Sequence, residues 1–270
     1  MLLENKNAII YGAGGSIGGA IARAFAREGA KVFVTGRSAP SLEKVVNEIV
    51  SSGGNAVPAT VNAMDQKEVK DHLNKVLQEN EHLDISFNAI GIEDKQGTAL
   101  VDMSLRDFIN PVNIAMQTQF ITTTAAAKVM TAQRSGVILS LTATPGGVGY
   151  AMVGGFGPAC AAMESFSRDL AAEVGVYGVR VVNIRSAGSP DSRPFKEAVA
   201  NDPERAGSFL KKMKDDTMLK DLPMIADIAN VAVFLASDMA AKITGVTIDA
   251  TVGTTTALNY KVTDIAFVQN

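Results

Sequence analysis

Apolar residues recur along this chain in short runs, separated by segments of helical period. "NAIIYG" at 7–12 is a compact apolar run closed by Gly12, which predicts a strand. In "IGGAIARAFARE", residues 17–28, Ile17, Ile21 and Phe25 stand four apart and share one helix face. The alternation continues with a strand at 31–36, a helix at 41–51 and a strand at 56–61 whose Pro58 suits a strand start or an exposed edge. A helix at 66–79 and a strand within 83–91 follow. The second half predicts one long helix over 104–131, with Pro111 a candidate break, and a strand at 136–143. Next come a helix over 158–175 and a strand at 179–186. A helix at 227–237 and a last strand at 246–251 close the pattern. Pro158 suits a first helical turn, which places Phe156 and Gly157 ahead of that helix.

Seven strands alternating with six helices predict an α/β fold. It is a single-domain, Rossmann-like, doubly wound parallel sheet with helices on both faces and right-handed crossovers, spanning 1–270. Residues 189–223 break the rhythm with four prolines and the polar run "KKMKDD". They follow a strand at the carboxyl edge of the sheet, where ligands bind in such folds, which makes them a candidate lid; the alternative is a solvated helix pair.

Composition narrows the function classes. With 270 residues and 47% hydrophobic content, the chain can bury one large core. A net charge of -3 gives no electrostatic case for nucleic acid or an anionic membrane as partner. One cysteine, Cys160, excludes an internal disulfide framework and a cysteine-cluster metal site, and His72 and His82 sit near no acidic cluster, so no metal is expected. The start "MLLENKNAII" lacks the pattern of a signal peptide and no apolar run reaches the ~18 residues of a bilayer span, so a cytoplasmic location is expected.

The first strand–helix junction carries the clearest chemistry. "YGAGGSIGG" sets Gly12, Gly14, Gly15 and Gly18 around Ser16 and Ile17, where a tight turn lets backbone N–H groups approach a pyrophosphate at a helix N-terminus. The second strand ends in "VTGRS". An NAD(H) site usually places an acid there, whereas Arg37, with Thr35 and Ser38 as hydroxyl donors, suits the 2′-phosphate of NADP(H). NADP(H) is therefore favoured over NAD(H).

The chain resembles the short-chain dehydrogenase/reductase family. The glycine turn, "NAIG" at 88–91, and the stretches "AAMESFSRDLAAEVGVYGVRVVNIRSAG" and "IANVAVFLASDMAAKITG" carry the resemblance. It implies that Asn62 and Ala63 lie by the adenine and that Asn88, Ala89 and Gly91 belong to the cofactor site. It also implies a homotetramer or homodimer packed through the helices at about 104–131 and 158–175. In that family a tyrosine exchanges the proton of the substrate oxygen and a lysine four residues on holds the nicotinamide ribose. A serine polarises the carbonyl, and an asparagine on the long helix holds a relay water. Asn113 matches the asparagine, but the serine, tyrosine and lysine positions fall on Ala143, Phe156 and Cys160. Residues 141–167 contain no lysine. Tyr150, the only tyrosine in the 144–157 loop, is the candidate substitute acid, while nothing nearby in sequence activates Cys160 as a nucleophile.

Three functions remain open. One is an NADP(H) oxidoreductase with a non-standard active site, acting on a small carbonyl, alcohol or related substrate. The second is a catalytically silent nucleotide-binding protein, a sensor or assembly partner. The third is an isomerase or dehydratase on the same fold.

Overall fold

The computed structural model describes residues 1–257. Its strands are β1 (Asn7–Tyr11), β2 (Lys31–Gly36), β3 (Asn55–Thr60), β4 (Ile85–Asn88), β5 (Gly136–Ala143), β6 (Val179–Ser186) and β7 (Val246–Ala250). All pair in parallel in one sheet of order β3-β2-β1-β4-β5-β6-β7. The order reverses direction beside β1, between β1 and β4, which opens a crevice at the carboxyl ends of those strands. Pro58 lies on β3, the edge strand, where a missing N–H interrupts no ladder on the open side.

The described residues form eight α-helices: α1 (Ser16–Arg27), α2 (Ala39–Ser51), α3 (Gln66–Asn80), α4 (Leu105–Gln133), α5 (Phe156–Val174), α6 (Arg193–Asn201), α7 (Pro203–Asp215) and α8 (Ile225–Ala236). Alternate strand residues feed two cores. Ile10, Val34, Phe87 and Leu139 pack with residues of α1, α2 and α8, whereas Ile9, Phe33 and Ile138 pack with α3, α4 and α5.

Three sequence expectations change. Among the described residues the six helices become eight, because 189–223 contains a helix pair, α6 and α7. Helix α4 runs unbroken through Pro111. That proline forfeits a bond to the carbonyl four residues back, yet it is buried against the start of α5: a side-chain carbon on Gly155 would lie 2.8 Å from its Cγ. Helix α5 starts at Phe156, not at Pro158. Pro158 is its third residue, within the turn whose N–H groups have no intrahelical acceptor, so a proline there costs no hydrogen bond.

Candidate active site

A cavity of about 840 Å³ fills the crevice. Its floor is the turn after β1. Gly12 sits at φ +81°, and a side-chain carbon there would meet the carbonyl oxygen of Ala89 at 2.6 Å. One on Gly18 would meet the carbonyl oxygen of Gly12 at 2.5 Å. Both positions therefore demand glycine, and the space they leave is backbone-lined. No side chain caps α1 at Gly15, so the N–H groups of its first turn keep their capacity for an anion. Gly12, Gly14, Gly15, Ser16, Ile17 and Gly18 all line the cavity. This is the cradle a dinucleotide pyrophosphate requires.

At the β2 end Arg37 and Ser38 line the same cavity, and both are exposed. Ser38 stands at the N-cap of α2 with no side-chain cap bond. Thr35 departs from expectation: it is buried, and its hydroxyl donates to the Ile10 carbonyl at 2.9 Å, so it ties β2 to β1 and offers no donor to a ligand. Asn62, Ala63, Ala89 and Gly91 line the middle of the cavity. Asn88 does not. Its amide is buried at 2% exposure, donating to Gln119 Oε1 at 3.0 Å and accepting from the Ile90 N–H at 3.1 Å. Gln119 in turn donates to Ser140 at 2.7 Å and Ser167 at 3.0 Å, so Asn88 belongs to a buried polar network tying β4 and β5 to α4 and α5.

Ala143, Phe156 and Cys160 line the far end of the cavity. Phe156 and Cys160 are four apart on α5 and so share a helical face. Phe156 has no proton to give. Burial pushes the Cys160 thiol up to about 11, which keeps it protonated and poorly nucleophilic at neutral pH.

Two candidate catalytic residues are not brought to this end. Asn113 is exposed on α4 and does not line the cavity. The α4 residues that line the cavity are Ile114 and Thr118, while Ala115, 1% exposed, packs against Ala159 and Met163 of α5. Tyr150 is also absent from the lining. It is half-buried; burial first, then the charge of Asp216 beyond α7, raises its hydroxyl above the usual tyrosine value.

Sequence reasoning missed a buried ion cluster behind Cys160. One helical turn on, Glu164 is 4% exposed and accepts from Thr142 Oγ1 at 2.7 Å and from Arg185 Nε at 3.1 Å, with a second, short bond from Arg185 Nη2. Arg185 also reaches Asp249 Oδ2 at 3.2 Å. The cluster joins α5, β5, β6 and β7 beneath the 144–147 turn. A glutamate on the inward side of α5, in "AAMESF", was the available signal. Ser192, Arg193 and Pro194 of the 189–223 segment, which line the cavity, were also missed.

With this geometry in hand, the relatives can be placed. The family model described as enoyl-(acyl carrier protein) reductase matches residues 12–255. The chain belongs to the short-chain dehydrogenase/reductase family. A 3-oxoacyl-(acyl-carrier-protein) reductase of Synechocystis is 31% identical over 180 residues, 66% of this chain and 72% of that protein. The Thermotoga maritima reductase of the same description is 28% identical over 250 residues, 91% of this chain and 96% of the relative. The crystal structure of levodione reductase shares the fold, with a TM-score of 0.85 at 23% identity over 94% of this chain and 99% of that one. Among the described residues no group of acidic, histidine and cysteine side chains is arranged to hold a metal, and no helix is long and apolar enough to cross a membrane.

Proposed function

We propose that this family member binds NADP(H) in the cleft and acts as an oxidoreductase whose hydride transfer proceeds without a tyrosine–lysine pair. One observation carries the reading: a single cavity lined at one end by Arg37 and the glycine turn and at the other by Ala143, Phe156 and Cys160. The bound cofactor supplies the hydride. The protein's own part is to seat the pyrophosphate on the first turn of α1 and pair Arg37 with a 2′-phosphate. Phe156 and Cys160 present a dry wall to the nicotinamide end, where orientation alone accelerates transfer. Residues 189–223 serve as the lid over that end. The active unit is a homodimer or homotetramer packed through α4 and α5, where Phe120 is 53% exposed and meets Phe166 edge-on at 6.0 Å.

A second reading, a catalytically silent nucleotide sensor, is favoured by a separate observation: none of Ala143, Phe156 and Cys160 supplies an ionisable proton near neutral pH or a fixed charge. Titration with NADPH and NADH, followed by NADPH oxidation against a panel of carbonyl and enoyl acceptors, separates the two. NADPH binding with turnover of any acceptor supports the oxidoreductase. NADPH binding with no turnover across the panel selects the sensor. Equal affinity for the two cofactors, or no weakening of NADPH in Arg37→Ala, removes the 2′-phosphate role.

A further inference from the structure

Ser16 and Arg193 meet across 177 positions of sequence at the mouth of the cleft. Ser16 is the first residue of α1, and its hydroxyl accepts a hydrogen bond from the backbone N–H of Arg193 at 3.0 Å. Arg193 is the first residue of α6, so this bond pins the start of the 189–223 segment to the phosphate turn. Arg193 lines the nucleotide cavity, and it also lines a second concavity of about 590 Å³ behind the turn, so it stands on the wall shared by both. Its side chain is 73% exposed, and its one ion-pair partner among the described residues is Glu197, at 3.7 Å on the same helix. Such an exposed pair contributes little and yields readily to a better anion.

We propose that Ser16 and Arg193 form a clamp on the cofactor's pyrophosphate, joining the glycine turn to the lid; this rests on the NADP(H)-binding reading above. A hydroxyl has one proton and two lone pairs. With one lone pair taken by the Arg193 N–H, Ser16 keeps its proton to donate to a phosphate oxygen. The guanidinium beside it swings from Glu197 to the pyrophosphate, where a planar fork pairs two oxygens at once. The clamp supplies from the lid side a cationic contact that the uncharged Cys160 cannot make with the nicotinamide ribose. It also gives Ser16 a purpose that a glycine at that position could not serve.

The test is calorimetric titration of the full chain with NADPH, NADH and adenosine 2′-monophosphate, which carries the 2′-phosphate but no pyrophosphate. Arg193→Gln and Ser16→Ala are each expected to weaken NADPH and NADH by about tenfold, the loss of a charge-assisted contact, and to leave adenosine 2′-monophosphate unchanged. Arg193→Lys is expected to fall between wild type and Arg193→Gln, since it keeps the charge and loses the fork. Unchanged dinucleotide affinity in Arg193→Gln overturns the clamp. A matching loss for adenosine 2′-monophosphate overturns it too, because the effect would then be general to the cleft. Wild-type protein that binds NADH as tightly as NADPH, with the Arg193→Gln loss intact, sinks the 2′-phosphate role of Arg37 and leaves the clamp standing. Wild-type protein that binds neither dinucleotide sinks both.

Discussion

Acid should destabilise this protein through His72, and the size of the effect can be worked from its surroundings. The ring lies on α3, edge-on to Phe33 at 6.2 Å, and its buried Nδ1 has no hydrogen-bond partner. Burial first, and the charge of Lys75 second, lower its pKa from 6.5 to about 4. The folded state thus resists a proton that the unfolded chain accepts. A depressed histidine of this kind leaves stability intact above the unfolded pKa and erodes it as pH falls toward the folded one. The full shift corresponds to about 3 kcal/mol, and at about pH 5 the linkage relation gives about 2 kcal/mol relative to about pH 7. Urea unfolding of wild type and His72→Gln at those two pH values reads the effect. Other groups titrate equally in both proteins, so wild type should lose about 2 kcal/mol more than the variant on acidification. Equal pH dependence in the two proteins, or an imidazole that titrates near 6.5 by NMR, would refute the reasoning.

Three further outcomes follow from the site and its supports. Glu164→Ala should cost about 2 kcal/mol in urea unfolding, because it removes the buried acceptor of Thr142 and leaves Arg185 paired with Asp249 alone; a loss below about 1 kcal/mol would show that Asp249 and water satisfy the guanidinium. Combining Ala143→Ser, Phe156→Tyr and Cys160→Lys should produce NADPH-dependent reduction of a small carbonyl above wild type. Phe156 and Cys160 lie four apart on α5 and line the same cavity, and no gain in rate would refute a catalytic site restored by these three positions. Phe120→Asp should shift the assembled protein toward smaller species in sedimentation, and an unchanged distribution would move the interface away from α4 and α5.

Much of the fold was legible because it depends on local pattern. The limits of β2, β5 and β6 fall at 31–36, 136–143 and 179–186, as the sequence predicts, since strands in the middle of a sheet are rich in buried, β-branched and other apolar residues. The phosphate turn was legible for a related reason: Gly12 and Gly18 are forced by backbone approach, which no other residue tolerates. Side-chain direction was harder to read. Asn113 and Ala115 differ by two positions, about 200° around a helix, and only the packing of α4 against α5 selects Ala115 as the buried residue. Thr35 and Asn88 occupy cofactor-like positions in the sequence, yet their polar atoms are consumed by Ile10 and Gln119.

By itself, then, the amino-acid order determined the parallel sheet, the glycine cradle, the arginine beyond β2 and the uncharged residues Ala143, Phe156 and Cys160. All of these are readable from residue type and short-range spacing. Tertiary structure alone decided that Phe156 begins α5, that Tyr150 stays outside the cavity, that Arg185 finds Glu164 and Asp249, and that Arg193 touches Ser16. Those outcomes join residues tens to nearly two hundred positions apart. They depend on which groups the packed sheet and helices bring within hydrogen-bond reach, and the burial of each group fixes which of them keeps its charge.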